Sequence, residues 1–191
     1  FELTLSDGDL QWPLKGQGDY FATIRNLHTQ GSLNGYSVEL DSALKGKQIP
    51  DVDLTLHGKG DLNQIDLQSL SIQTLGGEVS GTVMANWQAP INWAANLSLK
   101  DIQPGLQWQQ AEGNISGKLA TTGSLTEQGG WQVELPTLDI DGILRDYPLN
   151  IEGALSASDK AGTGELKIDT PRLVLSHGPN HLTAKGDVEQ N

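Results

Sequence analysis

Cysteine is absent from the 191 residues, which excludes a disulfide framework and any thiolate nucleophile or ligand while leaving the compartment open. No stretch approaches the roughly 18 consecutive apolar residues of a membrane-spanning helix, so none is expected. Basic residues are few, 12 Lys and Arg against 24 Asp and Glu for a net charge of −12, and they are scattered. Nucleic acid and anionic membrane surfaces are thereby poor partners, because binding them rests on phosphate neutralisation. The chain starts at Phe1 rather than at a methionine and ends in the polar run Asp187-Val188-Glu189-Gln190-Asn191. It reads as a single β-rich segment, 1–191, of a longer exported protein.

Catalytic constellations are lacking as well. No serine occupies a G-x-S-x-G elbow, no glycine-rich loop precedes a phosphate-binding lysine, and His28 and His57 have no partners in the sequence. His177 and His181 have i, i+4 spacing, but Gly178-Pro179-Asn180 between them forbids the helix that would align them on a metal. Asp139-Ile140-Asp141-Gly142 opens like a calcium loop, yet Ile143 stands where a ligand is needed. No enzymatic activity, cofactor or metal is expected.

What is abundant is glycine, 23 residues or about 12 % of the chain against a usual ~7 %, together with two-residue alternation. Val52, Leu54 and Leu56 point one way while Asp51, Asp53, Thr55 and His57 point the other, the period of a strand wetted on one side. The same pattern runs through Tyr36-Val38-Leu40-Leu44, Ile91-Trp93-Ala95-Leu97-Leu99, Trp131-Val133-Leu135, Leu166-Ile168 and Leu173-Leu175. Turn material separates such runs at Asn34-Gly35, Gly76-Gly77, Gln103-Pro104-Gly105, Gly129-Gly130 and Gly178-Pro179-Asn180. The fold class is all-β, an antiparallel meander. The only helical candidate, Gln107 to Ala111, is too short to be stable.

A repeat overlies the alternation. An apolar residue, glycine and a second apolar residue at two-residue spacing occur as Val79-Gly81-Val83, Ile115-Gly117-Leu119, Ile151-Gly153-Leu155 and Ala184-Gly186-Val188, their glycines 36, 36 and 33 residues apart. Leu44 and Gly46 stand 35 residues earlier, where Gln48 breaks the pattern. Periods of this size mark stacked units that cannot bury their own apolar faces, and about 36 residues is room for some four strands. A glycine on the apolar face permits a sharp bend, a bulge or a close backbone approach.

Trp12, Trp87, Trp93, Trp108 and Trp131 invite comparison with a carbohydrate-binding β-sandwich. Trp87, Trp93 and Trp131, however, share parity with Val, Leu and Ile, whereas a sugar platform belongs on a polar face or a loop.

The run Ile65-Asp66-Leu67-Gln68-Ser69-Leu70-Ser71-Ile72-Gln73-Thr74-Leu75-Gly76-Gly77-Glu78-Val79-Ser80-Gly81, and again Asn180-His181-Leu182-Thr183-Ala184-Lys185-Gly186-Asp187-Val188, resembles the repeating element of the AsmA-like superfamily. Residues 131–188, with Ile140-Asp141-Gly142-Ile143-Leu144-Arg145-Asp146-Tyr147-Pro148-Leu149-Asn150-Ile151-Glu152-Gly153, resemble the C-terminal part of a member of it. That resemblance implies a long antiparallel sheet curled into an open, taco-like trough with an apolar interior. It also implies a periplasmic segment of an inner-membrane-anchored protein in a Gram-negative bacterium, working with an outer-membrane barrel. The implied roles are insertion of outer-membrane proteins, autotransporters among them, and movement of phospholipid between the membranes, with acyl chains or unfolded β-strands as guests.

Parity places Leu54, Leu56, Leu62, Val79, Val83, Trp93, Leu97, Leu99, Ile115, Leu119, Val133, Leu135, Ile151 and Leu155 on one apolar surface, the expected groove lining. Leu62 is included because it keeps step with Leu54, Leu56, Gly58 and Gly60.

Overall fold

The computed structural model describes residues 1–12 and 19–190. They form one antiparallel sheet of twelve strands in strict sequence order. The strands are β1 (Glu2–Trp12), β2 (Tyr20–Ser32), β3 (Gly35–Gly46), β4 (Val52–Gly60), β5 (Gln64–Thr74), β6 (Gly77–Asn86), β7 (Ile91–Ile102), β8 (Gly113–Leu125), β9 (Trp131–Leu144), β10 (Tyr147–Asp159), β11 (Leu166–His177) and β12 (Asn180–Gln190). The polar run at the end is thus the last part of β12, with Asn191 outside the described residues.

Alternation makes the strands and short turns connect them. Leu75-Gly76 and Arg145-Asp146 are two-residue hairpin turns with φ of +51° and +73°, and of +51° and +64°, the mirror-image turn geometry that matches strand twist. Glycine suits this at position 76. The longest connection described, between β7 and β8, holds two single 3-10 turns, Pro104–Leu106 and Gln109–Ala111, where the weak helix was expected.

Curvature comes from a recurring pair of devices. On β5, β7, β9 and β11 one extra residue is inserted, so that Leu67 and Leu70, Leu99 and Ile102, Leu135 and Leu138, and Thr170 and Leu173 are three apart while their partners are two apart. Such bulges bend the strand and raise its twist. The repeat glycines lie on the strands that follow, Gly81 on β6, Gly117 on β8, Gly153 on β10 and Gly186 on β12. A Cβ at Gly81, Gly117 or Gly153 would fall on the backbone carbonyl of Asn96, Asp139 or Arg172 respectively, so the missing side chain admits the neighbouring strand. A copy of the repeat therefore spans two long strands, not the four expected from its length.

The sheet curls but does not close, and β1 and β12 remain edges. No second layer covers it among the described residues. Ala95 and Ile102, 8 % and 6 % exposed, are the only buried apolar residues described, and no large side chain is fully buried. Stability rests instead on cross-strand neighbours, which screen the apolar face to intermediate exposure while the polar face stays wet.

Candidate functional site

The sheet register converts the alternating strands into continuous rows. One row crosses all twelve strands as Leu5, Leu27, Leu40, Leu56, Leu70, Gly81, Leu97, Leu119, Leu138, Gly153, Leu173 and Ala184, each paired with the next. A parallel row runs from Ser42 through Leu54, Ile72, Val79, Leu99, Gly117, Ile140 and Ile151 to Leu175 and Leu182. A third contains Tyr36, Gly60, Ile65, Ala85, Trp93, Gly123, Val133, Ala157 and Ile168. None of these rows holds a charged side chain.

Of the expected lining, Leu56, Leu97 and Leu119 lie in the first row, Leu54, Val79, Leu99 and Ile151 in the second, and Trp93 and Val133 in the third. Val83 pairs with Leu67 and Ala95, Leu135 with Leu155, and Ile115 with Ile102 and Gly142. Leu62 does not join them. It sits in the turn after β4, 57 % exposed, with its carbonyl accepting the indole N–H of Trp87. Trp87, placed by parity on the apolar face, likewise lies past the end of β6 and is 46 % exposed.

Leu70 and Leu138 are members that strict alternation misses. Each stands three residues from an apolar neighbour or bulge partner, the offset that an inserted residue produces. The exposed pairs Gln68-Ser69 and Pro136-Thr137 between them are the one local trace of it.

Aromatic rings on this face are seated on glycines of the adjacent strand. Trp93 is paired with Gly123 and Tyr20 with Gly46. A Cβ at Gly123 would fall inside the Trp93 indole, and one at Gly46 would strike Tyr20 and Ile49. Tyr36 lies over Gly60, its hydroxyl 2.7 Å from where a Cβ would be.

Ion pairs lie on the other face, and the polar groups that share the apolar face, such as His177 and Asp159, stand at strand ends. Arg25, the inserted residue of a bulge on β2, donates to Asp41 at 2.8 Å and Asp53 at 2.6 Å, and these two bonds hold the guanidinium charged. His177 meets the Leu144 carbonyl at 2.9 Å and His181 meets Ser176 at 2.8 Å. Since Leu175 pairs with Leu182, these histidines fall on opposite faces. Asp159, 7 % exposed, accepts the amides of Gly164 at 2.6 Å and Thr163 at 3.1 Å. These bonds, Gly164 first, hold its carboxyl below the ordinary range.

One uncapped, open sheet whose three long rows carry no charged side chain defines the class as an open β-trough. The family model described as TamB, N-terminal domain, matches residues 1–191, and the chain belongs to that family. It is 28 % identical over 166 residues to the translocation and assembly module subunit TamB of Haemophilus influenzae, an alignment covering 86 % of this chain and 12 % of that one. The chain thus spans about an eighth of that relative's length. The similarity of 131–188 to a C-terminal part is corrected by the family match, which is to the N-terminal domain throughout. No solved structure matches.

Proposed function

We propose that the trough shelters phospholipid acyl chains as a non-enzymatic section of a conduit between the inner and outer membranes. The observation that carries this reading is the twelve-strand apolar row, roughly 50 Å along the sheet at usual strand spacing, left without a covering layer. Its long rows offer mainly hydrocarbon, with the hydrogen-bonding groups of Ser42, Tyr36 and Trp93 scattered among them. An acyl chain needs none, whereas a polypeptide brings a donor and an acceptor at every residue. A sixteen-carbon chain covered over half its surface gains about 6 kcal/mol before ordering costs, weak binding suited to hand-off. The parent protein is read as inner-membrane-anchored and periplasmic, acting with a TamA-like outer-membrane barrel.

A second reading concerns the edges. β1 and β12 present unpaired backbone, with Leu3, Leu5, Leu182 and Val188 between 41 % and 67 % exposed, the features that invite β-augmentation by a client strand of an outer-membrane protein or autotransporter. The carbohydrate-binding alternative is not favoured, since the most exposed tryptophans, Trp12, Trp87 and Trp108, stand on an edge strand and two separate loops and form no platform.

The test places a photoreactive amino acid at Leu97, on the inner face, or at Ser98, on the outer, in the parent chain. Phospholipid should crosslink at position 97 and not at 98. Equal labelling, or none at 97, refutes the trough.

A further inference from the structure

We propose that the glycine seats of the aromatic rings set the clearance of the trough, with Gly123 holding the Trp93 indole flat so that an acyl chain can pass. The inference rests on the trough reading above.

The seats differ from the repeat glycines. At Gly81, Gly117 and Gly153 an added Cβ would meet backbone carbonyls, so those glycines serve strand approach. At Gly123 the three nearest atoms all belong to the Trp93 side chain, and the backbone is free of the left-handed conformation that demands glycine. Backbone conformation thus permits alanine at position 123, and the ring is the first thing its Cβ would meet. Gly46 is of the same kind, its nearest neighbours being the Tyr20 and Ile49 side chains.

The surroundings of Trp93 fit the same purpose. Its neighbours in the row are Ala85 on β6 and Gly123 on β8, so small residues flank the largest side chain on both sides. In the leucine row, by contrast, Leu5, Leu27, Leu40, Leu56 and Leu70 stand shoulder to shoulder on five successive strands, as do Leu97, Leu119 and Leu138 on three. Laying a large ring down across small neighbours keeps the wall level, whereas an upright indole would project into the space a guest must use. Glycine paired with a cross-strand aromatic is also a known device for protecting a weak strand position, and the two roles separate experimentally. The occupant is uncharged hydrocarbon, because the row through Trp93 carries no charged group; the carboxylate beside it, Asp159 at the end of the Ile91-Leu125-Trp131 row, is 7 % exposed and turned to the amides of Gly164 and Thr163.

The experiment uses the full parent chain and a phosphatidylcholine bearing a diazirine in its acyl chain. Gly123→Ala, which lifts the indole, should lower crosslinking at half-saturation about fivefold, the effect of displacing two or three half-covered methylenes. Gly123→Ala combined with Trp93→Ala should restore it to the parent value. The fluorine resonance of 5-fluorotryptophan at position 93, assigned by Trp93→Phe, should shift in Gly123→Ala. An unshifted resonance, undiminished crosslinking in a folded Gly123→Ala chain, or failure of the double variant to recover overturns the seat. If the parent chain itself is not labelled while the resonance shifts, the acyl trough fails and the clearance role with it. Should Gly123→Ala not fold, Gly46→Ala with and without Tyr20→Ala carries the same comparison.

Discussion

Leu119→Arg separates an open trough from a closed core. Leu119 stands mid-sheet between Leu97 and Leu138, and it is partly rather than fully buried. Burying a leucine completely is worth ~1.5–3 kcal/mol, so removing one that is partly screened forfeits about 1–2 kcal/mol. Arginine recovers some of this by laying its methylenes along the same row and lifting the guanidinium into trough water. The net cost should be about 0.5–1.5 kcal/mol, a tolerable fraction of the ~5–15 kcal/mol of an ordinary domain. In a sealed core the same charge has no partner, and the loss should reach ~3–5 kcal/mol or abolish folding. Urea unfolding of the 1–191 chain, followed by tryptophan fluorescence and far-ultraviolet circular dichroism, distinguishes the two. A loss above ~4 kcal/mol would refute the open face and indicate that a second layer or second copy covers it. Lipid crosslinking of the same variant in the parent chain should fall while its fold persists.

Three further outcomes follow from particular residues. Gly117→Ala drives a Cβ onto the Asp139 carbonyl and should cost about 1–3 kcal/mol. Unlike Gly123→Ala, no truncation of an aromatic should rescue it, and a neutral result in the same urea assay would remove the close-approach role. Asp159 has its folded pKa below the unfolded value of ~3.9, so its contribution is complete above that value and is lost as pH falls through the folded one. Amide exchange in the 160–165 turn should therefore accelerate below pH ~4 in the parent and be fast and pH-independent of this group in Asp159→Asn. If β1 and β12 are open edges, their outward amides should exchange faster than those of β6 to β9, and equal protection would argue for covered edges.

Fold class was legible because period-2 alternation is a direct image of a one-faced strand. Val52-Leu54-Leu56 and Ile91 to Leu99 lie on their strands as that period requires. The rows were not legible. Leu138 pairs with Leu119 only because Pro136-Thr137 absorbs an extra residue, and a bulge leaves no mark that parity can follow. Leu62 shows the opposite failure, since counting in twos continued past Gly60 into a turn where the backbone no longer alternates. The aromatic seats join residues 26 and 30 positions apart, Tyr20 with Gly46 and Trp93 with Gly123, and only the register brings them together. The repeat was visible as glycines, but its content of two strands depended on strand lengths of 10 to 14 residues between β6 and β12, longer than the usual five or six.

Because each strand pairs along its backbone only with the strand before it and the strand after it, the sheet is close to a one-dimensional object whose stability is mainly a sum of neighbour terms. Such an object has no fixed size. Adding or removing one bulge-and-glycine pair of strands leaves both ends able to join what remains, and changes the length by two strand spacings, roughly 10 Å. Residue count then acts as a ruler, and the gap such a chain can bridge is written in the number of pairs it carries.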